Sequence, residues 1–221
     1  MPAKPVRDDP QGTVYNPFLF NGTDTELQRL LITGVLVAGK VARQQQDKFQ
    51  KFELALWRRS GRDAPNLFAG IRRVVAMDGW SGIEDMLKAV KLGKYNLTIA
   101  ALQRMVAQPV LDLRTCTRDA LTVIPGVGMK TASFFILFTR RNAGIACLDA
   151  HILRYLRQNG LAPSAPAVTP GSRKRYLELE QVFLKHAAEL SRDPGELDFE
   201  IWLKNNRGDK MKQKPNTDAA S

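Results

Sequence analysis

Residues 117–156 read TRDALTVIPGVGMKTASFFILFTRRNAGIACLDAHILRYL, and the organisation of the whole chain turns on them. Thr117 can cap a short helix, Arg118 to Val123, that runs into the turn Ile124-Pro125-Gly126-Val127-Gly128. A second helix follows from about Met129 to Arg141, with Ala132, Phe135, Ile136 and Thr139 on one side and Phe134 and Phe138 on another, so it should be buried broadly and end by Gly144. Asp149 stands at the N-cap position of a third helix, Ala150 to Gln158, which Gly160 closes. The stretch therefore predicts a helical hairpin, about 118–141, followed by a capped helix.

The turn carries chemistry as well as shape. Pro125 fixes one dihedral, and Gly126 and Gly128 let the chain turn sharply and let another backbone come close. The first amides of the second helix then point outward with no partner, at the positive end of its dipole, which suits a phosphate. Such a contact positions a protein on DNA without reading sequence. Lys130 falls in the first turn beyond it. A free lysine amine titrates near about 10.4, and a helix dipole disfavours the ammonium by only roughly 0.3–1 kcal/mol, so a nucleophilic Lys130 needs burial as well. Asp149 is a helix cap that can still turn one oxygen to a cleft.

Outward from the hairpin, apolar residues recur at helical spacing. Leu27, Leu30, Leu31, Gly34, Val35 and Ala38 form one face of a first helix, which Thr23 or Asp24 can cap. Helices are expected over about 49–59, 66–77, 83–90 and 96–108, each stopped by Gly or Pro, with 40–51 a polar run. Beyond the hairpin region a Pro- and Ala-rich connector, 162–171, leads to a long helix, 172–190, with Tyr176, Leu179, Phe183 and Leu190 inward. A last helical piece spans 197–204 and holds Trp202. No stretch alternates as a strand would. The fold class is all-α. Residues 1–24 read as an arm that docks its aromatics, and 205–221 as a disordered basic tail.

The totals fit an anionic partner. Lys and Arg number 33 against 22 Asp and Glu, a net charge of +11 and a pI near 9.9. That surplus favours nucleic acid. Two cysteines, Cys116 and Cys147, are too few for a disulfide framework, and with His151 and His186 they make no recognised zinc spacing. No apolar run reaches the roughly 20 residues of a membrane span, and the N-terminus lacks a secretory core, so a cytoplasmic or nucleoid location is expected.

The spacing L-x-x-I-P-G-V-G-x-K-T-A followed by L-D-A-H-I-L-R resembles the helix-hairpin-helix DNA glycosylases of the endonuclease III and 8-oxoguanine glycosylase superfamily. The resemblance extends over residues 25–205. It implies a two-lobed helical fold: one bundle over 25–141, and a second lobe made of 1–24 and 142–204, with double-stranded DNA across the cleft between them. It implies a monomeric base-excision repair enzyme, a bifunctional DNA glycosylase and AP lyase. Asp149 would stabilise charge on the sugar, and Lys130 would attack C1′, expel the damaged base and form a Schiff base. By the same resemblance, Gly126, Val127, Gly128, Lys130, Thr131, Tyr95, Lys40, His151 and Arg154 would contact DNA, with Tyr95 as a wedge in the base stack. The carbonyls of Thr122, Ile124 and Val127 would hold a monovalent cation, Na or K, against a phosphate.

The chain departs from the endonuclease III branch in two ways. It lacks the four cysteines of the family's iron–sulfur cluster, so no such cofactor is expected, and the gap-filling glutamine position falls near Gly39-Lys40. The run K-T-A-S-F-F is similar to that of small microbial 8-oxoguanine glycosylases, which makes 8-oxoguanine the favoured substrate; unlike many of those, the chain ends in Ala-Ala-Ser. A glycosylase for an oxidised pyrimidine or an alkylated purine, and a non-enzymatic DNA-binding module, are the alternatives.

Overall fold

The structure, a computed structural model, describes residues 18–37, 42–61 and 63–212, with 42–43 and 206–212 as backbone only. Among them there is no strand. The elements are α1 (Asp24–Val37), α2 (Ala42–Ser60), α3 (Leu67–Ala89), α4 (Tyr95–Val106), α5 (Arg118–Thr122), α6 (Met129–Thr139), α7 (Ala150–Gln158), α8 (Arg173–Glu189) and α9 (Pro194–Lys212). The fold is all-α, and no helix of the described residues is long and apolar enough to cross a membrane.

Local chemistry sets most of the boundaries. Thr23 and Glu26 form a capping box at α1: the Thr23 amide donates to Glu26 Oε2 at 2.7 Å, and the Glu26 amide donates to Thr23 Oγ1 at 3.3 Å. Asn66, Thr117 and Ser172 cap α3, α5 and α8 through their side chains. Helix α3 contains the two helices expected at 66–77 and 83–90, joined across Gly79, whose φ of 69° breaks the helical path.

Four expectations are corrected. Helix α2 begins at Ala42, because Gln45 lies on the same buried face as Phe49, Phe52 and Leu56 and the polar run is one side of the helix. Helix α6 stops at Thr139 rather than near Gly144: Arg140 is extended, and its Nη2 reaches the Leu113 carbonyl at 3.3 Å. Helix α9 continues past residue 205 to Lys212, since an established helix propagates at little cost until something stops it. Leu190, expected inward, is exposed.

Two cores flank the hairpin. The first draws on α1 to α6, with Leu31, Phe52, Leu67, Ile71, Leu87, Leu121 and Phe135 among its sealed side chains. The second joins α7, α8 and α9 through Ile152, Leu153, Leu156, Tyr176, Phe183 and Ile201. Helix α6 also presents Leu137 and Phe138 to a small third cluster with Cys147 and Phe199. Phe18 docks there, its ring 5.3 Å from that of Phe138, while the Leu19 amide donates to the Phe138 carbonyl. Helix α6 is thus clamped on two sides, and Lys130 lies in its first turn.

Candidate active site

The hairpin turn is built as its sequence implies. The Ile124 amide donates to the Leu121 carbonyl at 3.1 Å, and the Val127 amide donates to the Ile124 carbonyl at 2.9 Å. The two glycines do different work. Gly126 has φ +81°, and a Cβ there would meet Val35 Cγ1 at 3.2 Å and Leu97 Cδ2 at 3.3 Å. Gly128 has ordinary extended geometry, and a Cβ there would meet nothing within 4 Å. It is the N-cap of α6, with no side chain capping the helix. Its lack of a side chain therefore leaves the start of α6 open to an outside group.

Lys130 is half-buried one step inside α6, and its backbone carbonyl lies 3.7 Å from Cys147 Sγ. Asp149 caps α7: its Oδ1 accepts the amides of His151 at 2.8 Å and Ile152 at 3.0 Å. Two groups to which sequence reasoning gave no role feel both Lys130 and Asp149. Cys147 is buried, and that burial pushes its thiol well above the ordinary range, aided by Asp198 and Asp149. Asp198, on α9, is 6 % exposed, and its Oδ2 has no hydrogen-bond partner in the protein. Burial raises its carboxyl well above the usual carboxylate range; the charge of Asp149 adds to this and that of Lys130 opposes it. Lys130, Cys147, Asp149 and Asp198 therefore share one electrostatic neighbourhood.

A buried polar seam ties the hairpin to the segment that delivers Asp149. Glu180 Oε1, on α8, accepts Arg118 Nη1 of α5 at 2.6 Å and the Ala146 amide at 2.9 Å. Arg118 also reaches Ser133 Oγ of α6 at 3.1 Å. The Tyr176 hydroxyl donates to the Ala146 carbonyl at 2.9 Å and accepts the Leu148 amide at 3.1 Å. Residues 146–148, which deliver Asp149, are thus held by α8, and α8 is held by the hairpin. The one sequence signal for this was Glu180 itself: four residues after Tyr176, it is a charge on the apolar face of α8.

The expected DNA contacts divide. Gly126, Gly128 and Arg154 are exposed, and His151 is half-buried with a buried Nδ1 that has no partner in the protein. The side chains of Val127 and Thr131 are buried, Thr131 Cγ2 lying where a Cβ on Gly34 of α1 would approach it to 3.0 Å, so these two contribute packing. Tyr95 is half-buried, with its ring on the first core. Lys40 lies outside the described residues. Among further basic candidates, Arg140 is tied to Leu113 and Arg173 pairs with Asp119 at 2.7 Å. Thr122 ends α5, where the last carbonyls of a helix have no intrahelical partner, and the carbonyl of Ile124 already accepts one amide.

Residues 87–192 match the family model Ogg-HhH, 8-oxoguanine DNA glycosylase. The match covers just under half of the chain, and it shows a likeness of that segment to the family model. A relative from Thermotoga petrophila, named 8-oxoguanine DNA glycosylase/AP lyase, is 38% identical over 80 residues, 35% of this chain and 36% of its own. A relative of the same name from Saccharolobus islandicus is 33% identical over 136 residues, 55% of this chain and 63% of its own. The matches thus span between about a third and under two thirds of these relatives' length. The solved structure of the Methanocaldococcus jannaschii 8-oxoguanine glycosylase/lyase, in complex with DNA containing 8-oxoguanine, superposes with a TM-score of 0.55 at 21% identity, covering 82% of this chain and 81% of that one. In this chain α6, which carries Lys130, is tied through Arg118 and Glu180 to Ala146, three residues before Asp149.

Proposed function

We propose that this protein is a helix-hairpin-helix base-excision repair DNA glycosylase with AP lyase activity, and that 8-oxoguanine is its favoured substrate. The observation that supports the reading is a half-buried Lys130 behind the open Gly128 cap, together with a cap carboxylate, Asp149, that shares its electrostatic neighbourhood. The names borne by the Thermotoga and Saccharolobus relatives support the choice of lesion and of the lyase step. The enzyme acts inside the cell, as a monomer, on double-stranded DNA that holds a damaged base or an abasic site.

The damaged nucleotide leaves the stack at a cost of about a few kcal/mol, which is least for a weakened pair. A DNA phosphate sits at the start of α6 over Gly126 and Gly128, where the first amides are free to donate. A monovalent cation at the carbonyls of Thr122, Ile124 and Val127 would add positive charge to that contact. Neutral Lys130 attacks C1′ and the base departs; Asp149 steadies the positive charge that develops on the sugar. The covalent adduct opens to a Schiff base, and β-elimination nicks the strand. His151 and Arg154, at the start and on the exposed face of α7, hold the flanking backbone.

The test is a borohydride trap on duplexes carrying 8-oxoguanine, an oxidised pyrimidine or an abasic site, with Lys130→Gln run beside the wild type. The expected result is a covalent adduct, strongest among the lesions with 8-oxoguanine, that the variant does not form. Release of base without an adduct would make the enzyme monofunctional, and salt-sensitive binding with neither would leave a DNA-binding module.

A further inference from the structure

The mechanism above uses one carboxyl of the site and leaves another unused. Asp198 stands on α9, which packs on both α6 and α7, and the charges of Lys130 and Asp149 both act on it. It is 6 % exposed, and its Oδ2 is sealed from solvent with nothing in the protein to bond. A buried carboxyl oxygen without a partner is costly to the fold, so a chain that keeps one in the neighbourhood of its reactive lysine is holding it for something outside the chain. The two aspartates are also in contrasting environments. Asp149 is an acceptor, with two backbone amides on Oδ1, whereas Asp198 has lost its water and faces the like charge of Asp149. Burial thus favours the neutral acid at Asp198, which keeps a proton to give.

We propose that Asp198 is the general acid of base departure: its carboxyl proton passes to the leaving base as Lys130 attacks. The inference rests on the glycosylase reading above. In the step, the Nζ lone pair of Lys130 forms the bond to C1′ while the glycosidic bond breaks and its electron pair goes to the base. The proton of Asp198 moves to the base, which leaves neutral. The lysine nitrogen, now a secondary ammonium on C1′, gives a proton back to the Asp198 carboxylate before the sugar ring opens. Asp198 ends as it began, and no other reactant is consumed. An abasic site has no base to protonate, so its reaction with Lys130 does not need the forward transfer.

That difference supplies the test. Asp198→Asn keeps the shape and a donor group but no transferable proton. It should lower single-turnover excision of 8-oxoguanine by about a hundredfold or more, the lower range for general acid catalysis, while the borohydride adduct on an abasic duplex forms about as fast as in the wild type. Equal losses on the two duplexes would make Asp198 a structural residue, and no loss on either a bystander; both overturn the inference. A wild type that traps no adduct on either duplex would overturn the lyase reading itself, and this inference with it. Should Asp198→Asn fail to fold, the wild type alone decides. The titratable groups facing Asp198 are Lys130 from α6 and, entering α7, Cys147 and Asp149. The ratio of excision to abasic adduct formation should fall as pH rises through the titration of Asp198, and a ratio flat with pH would overturn the proposal.

Discussion

The first core and the seam on α8 are both sealed from water, but they are built differently. The core meets at Phe52, Leu67, Ile71, Leu121 and Phe135, where any well-packed apolar surface would serve. The seam meets at Arg118, Ser133, Glu180 and Tyr176, which are joined to one another and to residues 146–148 by directed hydrogen bonds. Apolar contact is non-directional and tolerates small shifts, whereas a buried hydrogen bond is lost within a fraction of an ångström. The difference teaches where the molecule needs accuracy. The core gives bulk stability; the seam sets the distance between Lys130 and Asp149.

The largest test of that contrast is Glu180→Ala. It strands the Arg118 guanidinium and the Ala146 amide together, and should cost about 3–5 kcal/mol in urea unfolding, with excision falling further than stability explains. Phe135→Ala should cost a similar amount, about 3–5 kcal/mol, by opening a cavity, yet leave the excision rate of the folded fraction close to wild type. If both variants lose excision in proportion to stability, the seam has no special role. Tyr176→Phe is the milder form of the same test: it leaves the Leu148 amide and Ala146 carbonyl unpaired, for about 1–3 kcal/mol and a measurable drop in turnover. Asp149→Ala should cost about 0.5–2 kcal/mol as a lost helix cap, while excision collapses. A melting curve and a single-turnover assay on one preparation separate the two effects.

A pH series adds a sign. The folded-state titration of Asp198 is raised, so between its unfolded and folded values the native protein binds the extra proton. Stability must then fall as pH rises through that window, and Asp198→Asn should flatten the fall, which urea titrations at stepped pH would show. The smallest effect belongs to Arg173→Ala. Its pair with Asp119 is exposed on both sides, and its loss should leave the melting temperature unchanged.

Local signals carried the sequence reading a long way. The cap at Asp149, the stop after Gln158 and the capped start at Thr117 all rest on contacts within three residues, and they appear in the structure as read. The kink at Gly79 was legible for the same reason. The far-reaching contacts were not. Arg118 and Glu180 lie 62 residues apart in sequence, and periodicity places a charge on a face without saying what covers it. Asp198 was hidden in a segment where only Trp202 drew attention, because its meaning comes from Lys130 and Asp149 on other helices. The ends of α6 and α9 were misjudged where a side-chain anchor, or continued propagation, overrode a glycine or a polar run.

The two glycines of the turn answer to different judges. Gly126 is required by its own neighbours, Val35 and Leu97, so a lineage that replaced it would lose the folded chain. A Cβ on Gly128 would meet no atom of the protein, so folding alone would accept alanine there. Under the proposed function, only a DNA strand pressing on α6 would refuse it. In a lineage that ceased to need this repair, Gly128 would drift first, and a fully folded chain with alanine in its place would be a relic that had outlived its work.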